Sequence, residues 1–140
     1  MLSRRAAVVF GVADLLTGAL VLFGVFVALP ARWAPVDVPA AVLGAIEIAA
    51  GGALLARTPW AEKLARATSA VALALGLFVV SLLAVTASWL SGVYGPVGAG
   101  GAIILVLVAA MTLPYLVVLP VVQLVWLRPR AATPGAVVEE

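Results

Sequence analysis

The sequence predicts an all-α fold: a four-transmembrane-helix bundle with antiparallel up-down topology and both termini in the cytoplasm. Three observations carry that reading. Hydrophobic residues make up 66% of the 140-residue chain before its 13 Gly are counted, whereas soluble domains run at about 45–50% with Gly included. Charged residues are few, 8 basic and 6 acidic, and too dispersed to build a solvated surface. The apolar residues also fall into four runs, each near the roughly 20 residues that cross a bilayer core about 30 Å thick.

The first run, residues 6–29, carries one charge, Asp14, and stops at Pro30 before a polar turn with Arg32, Trp33 and Pro35. A cleavable secretory signal is the competing reading, since Arg4 and Arg5 resemble its basic start. The run is longer than the usual 7–15-residue apolar region of a signal, which favours a retained span. The second run, residues 38–56, has Asp37 placed as an N-cap, Pro39 in its first turn and Glu47 as its one charge. The third, residues 67–90, is uncharged. Thr58 and Pro59, followed by Glu62, Lys63 and Arg66, offer a cap, a first-turn proline and snorkelling side chains for a helical entry. The fourth, residues 101–127, is also uncharged, and Pro114 and Pro120 predict a kink there. The Gly-rich stretch 91–100 reads as a flexible turn, because it lacks the Gly-Lys-Ser/Thr ending of a phosphate loop. Residues 128–140 read as a short cytoplasmic tail.

Long runs without apolar/polar alternation make helices, not barrel strands, the means of satisfying the backbone in lipid. Basic loops stay in the cytoplasm. Arg4, Arg5, Arg57, Lys63, Arg66, Arg128 and Arg130 fall on one side and Arg32 alone on the other. The four Trp residues serve as interface anchors, Trp33 and Trp89 at outer ends and Trp60 and Trp126 at inner ends. The expected location is a bacterial inner membrane.

With no Cys and no His, disulfides, thiolate chemistry, imidazole bases and His- or Cys-based metal sites drop out. A net charge of +2 is too small for a nucleic-acid surface. No nucleophile and base pair is visible, so neither an enzyme nor a cofactor or metal is expected.

The informative feature is a repeat. Gly11, Asp14 and Gly18 recur as Gly44, Glu47 and Gly51, both reading Gly, two residues, acid, three residues, Gly. Spacings of three and four place each set on one helical face. Flanking glycines let a partner backbone approach, which keeps each acid between helices. Asp14 lies eight residues beyond Ala6 and Glu47 ten before Arg57, so their depths are about 12 and 15 Å. Two carboxyl groups meeting near the midplane with no basic companion disfavour double ionisation. A shared proton, a bound cation or protonated hydrogen-bonded acids are expected. Ser81, Thr112 and Tyr115 are candidate polar neighbours, and Pro114 leaves the Ala110 carbonyl free to accept. Gln123 is either a polar helix contact or an interfacial residue. Structural packing, proton or cation coupling and polar-ligand binding all fit such a pair, since intramembrane acids are costly and point to function by default.

The segment Leu43-Gly44-Ala45-Ile46-Glu47-Ile48-Ala49-Ala50-Gly51-Gly52-Ala53-Leu54-Leu55 resembles the Gly-x-x-Glu-x-x-x-Gly-Gly segment of DoxX-like small four-helix membrane proteins. The resemblance covers one helix, and total length and helix count agree with it. It implies an accessory subunit of a redox or quinone-associated membrane complex. The expected function is therefore a small membrane scaffold or accessory subunit, packing with itself or with other membrane subunits among lipid. A proton- or cation-coupled carrier built on Asp14 and Glu47 is the alternative, and a lipid- or quinone-binding protein a third.

Overall fold

The computed structural model describes residues 3–28 and 34–127, and every regular element among them is helical. Trp33, Arg32 and the tail 128–140 lie outside the described residues. Helix α1 spans Arg4–Phe23 and continues as a π-helical stretch, Gly24–Ala28. Ser3 caps it, its hydroxyl accepting from the Ala6 N–H at 3.2 Å. Helix α2 spans Ala34–Leu55. Asp37 therefore lies in its first turn and is not its N-cap. The earlier start is open to Pro35, because a proline in the first turn lacks only an N–H that would have no helical partner. Asp37 there complements the positive end of the helix dipole.

The turn after α2 has a cause in hydrogen bonding. Arg57 adopts φ 56°, the Thr58 N–H donates to the Ala53 carbonyl at 3.2 Å and the Arg57 N–H to Leu54 at 3.2 Å. That is a Schellman closure with Arg in the position usually held by Gly. It draws the Thr58 hydroxyl back to the Ala53 carbonyl, so α3 starts at Ala61 without the side-chain cap expected from Thr58.

Helix α3 runs Ala61–Leu113 and is broken at one residue, Gly95, with φ 54° and ψ −133°. The reversal expected over ten residues is thus made at one. Gly supplies the positive φ, and Pro96 both forbids a helical Gly95 and starts the next helix with a preset φ. Gly98 then fits against the Leu90 carbonyl, where a Cβ would clash. A straight helix of 53 residues would extend about 80 Å. Instead, the limb after Gly95 folds back on the limb before it, Gly76 packing on the Leu116 carbonyl. A second π-helical stretch, Pro114–Val118, leads into α4, Leu119–Trp126. Where Pro114 and Pro120 predict a kink, the chain is π-helical, with the Leu119 N–H reaching back to the Pro114 carbonyl.

Three helical stretches are long and apolar enough to cross a membrane: Arg4–Val27, Asp37–Leu55 and the 66-residue Ala61–Trp126. Burial is inverted relative to a protein in water. Asp14, Glu47, Gln123, Ser69 and Thr68 are buried, while Val9, Phe78, Ile104 and Met111 are exposed. That distribution suits a chain whose main solvent is hydrocarbon. One apolar cluster, Phe10, Ala53, Leu54, Ala61, Ala65 and Leu127, gathers α1, α2, α3 and the end of α4 at the end carrying Arg4, Arg5, Arg57 and Lys63.

A candidate polar site between the helices

The two Gly-acid-Gly sets meet face to face. A Cβ built on Gly51 would sit 2.5 Å from the Gly11 carbonyl oxygen, and one on Gly18 2.5 Å from that of Gly44. Gly11 therefore pairs with Gly51 and Gly18 with Gly44, so the repeat runs antiparallel in space. Asp14 and Glu47, central in each set, fall opposite one another. Asp14 is 1% exposed and Glu47 4%, and Glu47 lies within the field of the Asp14 carboxyl group.

Asp14 has a partner from the far end of the chain. Gln123 Nε2 donates to Asp14 Oδ1, and Ser69 Oγ lies 2.5 Å from Gln123 Oε1. The single Ser69 hydroxyl proton is also in reach of the Ala65 carbonyl at 2.7 Å. The amide of Gln123 suits this place because it donates at one end and accepts at the other. Ser69, Gln123 and Asp14 thus form a polar chain from α3 through α4 to α1, ending beside Glu47 on α2. Among the described residues no hydrogen bond to the Glu47 carboxyl group is seen. Close by, Arg66 Nη2 donates to the Leu127 carbonyl, a cation at the negative end of α4.

The neighbours expected for the acids are placed elsewhere. Ser81 is exposed, the Thr112 hydroxyl donates to the Ala109 carbonyl of its own helix at 2.9 Å, and Tyr115 is half-buried and, among the described residues, makes no hydrogen bond to either acid. Ala110 is exposed as well. Depth measured from the charged end of the third run misplaces Ser81, because α3 begins at Ala61 and its Ala65 packs level with Phe10. Ser69, one turn on from Ala65, then comes level with Asp14, one turn on from Phe10. Ser69 was missed for that reason, although a signal was present. It lies 26 residues before Gly95 and Gln123 28 after it, so a reversal at Gly95-Pro96 pairs them.

Trp60, Trp89 and Trp126 are all exposed, at 52%, 58% and 65%. Trp126 meets Phe10 edge to face at 6.2 Å, and Trp89 meets Tyr94 at 6.1 Å. No group of three or more acidic side chains that could hold a metal comes together among the described residues.

No family, no curated protein and no solved structure matches the chain.

Proposed function

We propose that the chain is a four-span integral membrane protein, an antiparallel up-down bundle with both termini in the cytoplasm, acting as a small scaffold or accessory subunit. The observation that carries this reading is the Ser69–Gln123–Asp14 chain, which joins α1, α3 and α4 where α1 and α2 are in glycine contact. Polar groups that satisfy one another between close-packed helices hold a bundle together. A carrier site must instead release its ligand to water. Supporting the orientation, Arg4, Arg5, Arg57, Lys63 and Arg66 gather at one end, as cytoplasmic basic residues do. The resemblance of the α2 segment to DoxX-like proteins favours partnership with a larger membrane complex, and copies of the chain itself are the other candidate partner.

The test separates packing from chemistry. Gly18→Leu and Gly51→Leu should abolish assembly, while Asp14→Asn and Glu47→Gln should assemble with mild loss. Full assembly by both leucine variants would reject the scaffold reading. A second reading, proton or cation coupling, is favoured by Glu47, a buried acid beside another acid with no basic companion in contact among the described residues. It requires that Asp14→Asn or Glu47→Gln stop flux in reconstituted vesicles with assembly intact.

A further inference from the structure

The Ser69–Gln123–Asp14 chain can be completed in two ways. Gln123 is the one side-chain amide of the sequence, which has no Asn, and it lies 2% exposed between a hydroxyl group and a carboxyl group. Its Nε2 and Oε1 ends are alike in size and shape, and differ in that one donates and the other accepts. Half a rotation about the terminal torsion of the side chain therefore exchanges donor and acceptor while the helices stay in place. Ser69 has the matching freedom. Its hydroxyl oxygen lies 2.5 Å from Gln123 Oε1 and 2.7 Å from the Ala65 carbonyl oxygen, so its single proton can go to either. The hydroxyls of Thr86 and Ser88, by contrast, donate to the carbonyls of their own helix at Leu82 and Ala84.

We propose that this chain is a proton-set switch: an ionised Asp14 holds the Gln123 amide with Nε2 toward α1, and a proton added to Asp14 reverses it. The proposal rests on the reading of the chain as the joint between the helices and adds what sets its polarity. In the ionised state Ser69 donates to Gln123 Oε1, and Gln123 Nε2 donates to Asp14 Oδ1, which as a carboxylate can only accept. An entering proton bonds to Asp14 Oδ1 and is donated to Gln123 Oε1, now turned toward it. The Nε2–H freed from Asp14 passes to the Ser69 oxygen, and the Ser69 proton, staying on its own oxygen, turns to the Ala65 carbonyl. One proton is gained, one O–H bond forms, and every link between α1, α4 and α3 is kept. Without the turn, the amide N–H and the new O–H would face each other with no acceptor between them, a costly arrangement away from water. Among the described residues Asp14 is hydrogen-bonded at Oδ1, so a proton at Oδ2 would lack that partner. The charged groups that bear on the switch are Glu47 on α2, beside Asp14, and Arg66 on α3, whose Nη2 is committed to the Leu127 carbonyl. Helix α4 carries no charge, and Arg4 and Arg5 of α1 lie more than two turns from Asp14.

The test uses the full chain, isotopically labelled in nitrogen and carbon, in detergent micelles, where Gln123 gives the single side-chain carboxamide signal. Nuclear Overhauser contacts of that group and the shift of the Asp14 carboxyl carbon are followed from about pH 8 to about pH 4, a span that covers carboxyl titration. The carboxamide contacts should pass from the Asp14 β protons to the Ser69 β protons, at the midpoint of the Asp14 carboxyl transition. Ser69→Ala removes the acceptor that the turned amide needs and should keep the contacts on Asp14 throughout. Contacts that stay on Asp14 in the unaltered chain after its carboxyl group has taken up the proton would overturn the proposal. So would a reversal that persists in Ser69→Ala, an Asp14 that takes up no proton over this span, or unfolding that coincides with the uptake. The unaltered chain decides the matter if the variant does not fold. Assembly is not among these readouts, so a chain whose amide turns but which does not assemble would reject the scaffold reading alone.

Discussion

A missing Cβ beside a buried acid decides how closely two helices approach, and the glycines of α1 and α2 differ in this respect. Alanine at Gly18 or Gly51 would press a methyl group to 2.5 Å from a backbone oxygen that cannot swing aside. Each should lower stability by about 1–3 kcal/mol. A Cβ added at Gly52 would meet no neighbouring element within 4 Å among the described residues, so Gly52→Ala should raise stability by about 0.5–1 kcal/mol through helix propensity alone. Unfolding titrations in mixed micelles would compare them, and an equal loss at Gly52 would remove the close-approach argument. The same scale tests the polar chain. Gln123→Leu strips Asp14 of its donor and should cost about 1–2 kcal/mol, whereas Ser81→Ala, at an exposed position, should stay within about 0.5 kcal/mol. The acid pair and its glycines were legible because helical spacing is a local property of the sequence. The partners of Asp14 were not, because Gln123 reaches it only once the register of a distant hairpin is known.

At the level of elements, the spans were legible from run length, while their ends and reversals followed backbone chemistry that hydropathy does not weigh. Pro35 extends α2 backward, the Schellman closure engages Thr58, and Gly95 alone reverses a stretch that its four glycines suggested was loose. Gly95 is the critical member of that neighbourhood. Gly95→Ala should cost about 1–3 kcal/mol because a Cβ resists its backbone angles, while Gly92→Ala, with nothing in reach, should not destabilise the hairpin. Thermal unfolding of the two variants in detergent would show the contrast. Arg57 offers the converse case. It holds a left-handed conformation at a helix end, so Arg57→Gly should stabilise by about 0.5–1 kcal/mol, and a loss would mean that the Arg side chain makes contacts worth more than the strain.

For the whole molecule, two antiparallel pairings are joined at one end. In the first, Gly11 faces Gly51 and Gly18 faces Gly44; in the second, Ser69 faces Gln123 and Gly76 faces Leu116. The Phe10–Leu54–Ala65–Leu127 cluster and the Gln123–Asp14 bond hold the two together, which sets the acid pair at the height of Ser69. From Ser69 to Gly95 is 26 residues, about 39 Å of helix, more than a full hydrocarbon core of about 30 Å. If the acids lie inside the bilayer, Ser91 must therefore emerge on the side opposite the basic residues. The chain contains no Cys, so single cysteines report position without background. With a membrane-impermeant maleimide on intact cells, Ser91→Cys should be labelled, whereas Ser3→Cys and Thr58→Cys should react only after permeabilisation. Labelling of Thr58→Cys from outside would invert the orientation but keep the spans. Failure of Ser91→Cys to react before permeabilisation, with the other two also protected, would mean that the Gly95 hairpin does not cross, and the four-span reading would fall with it.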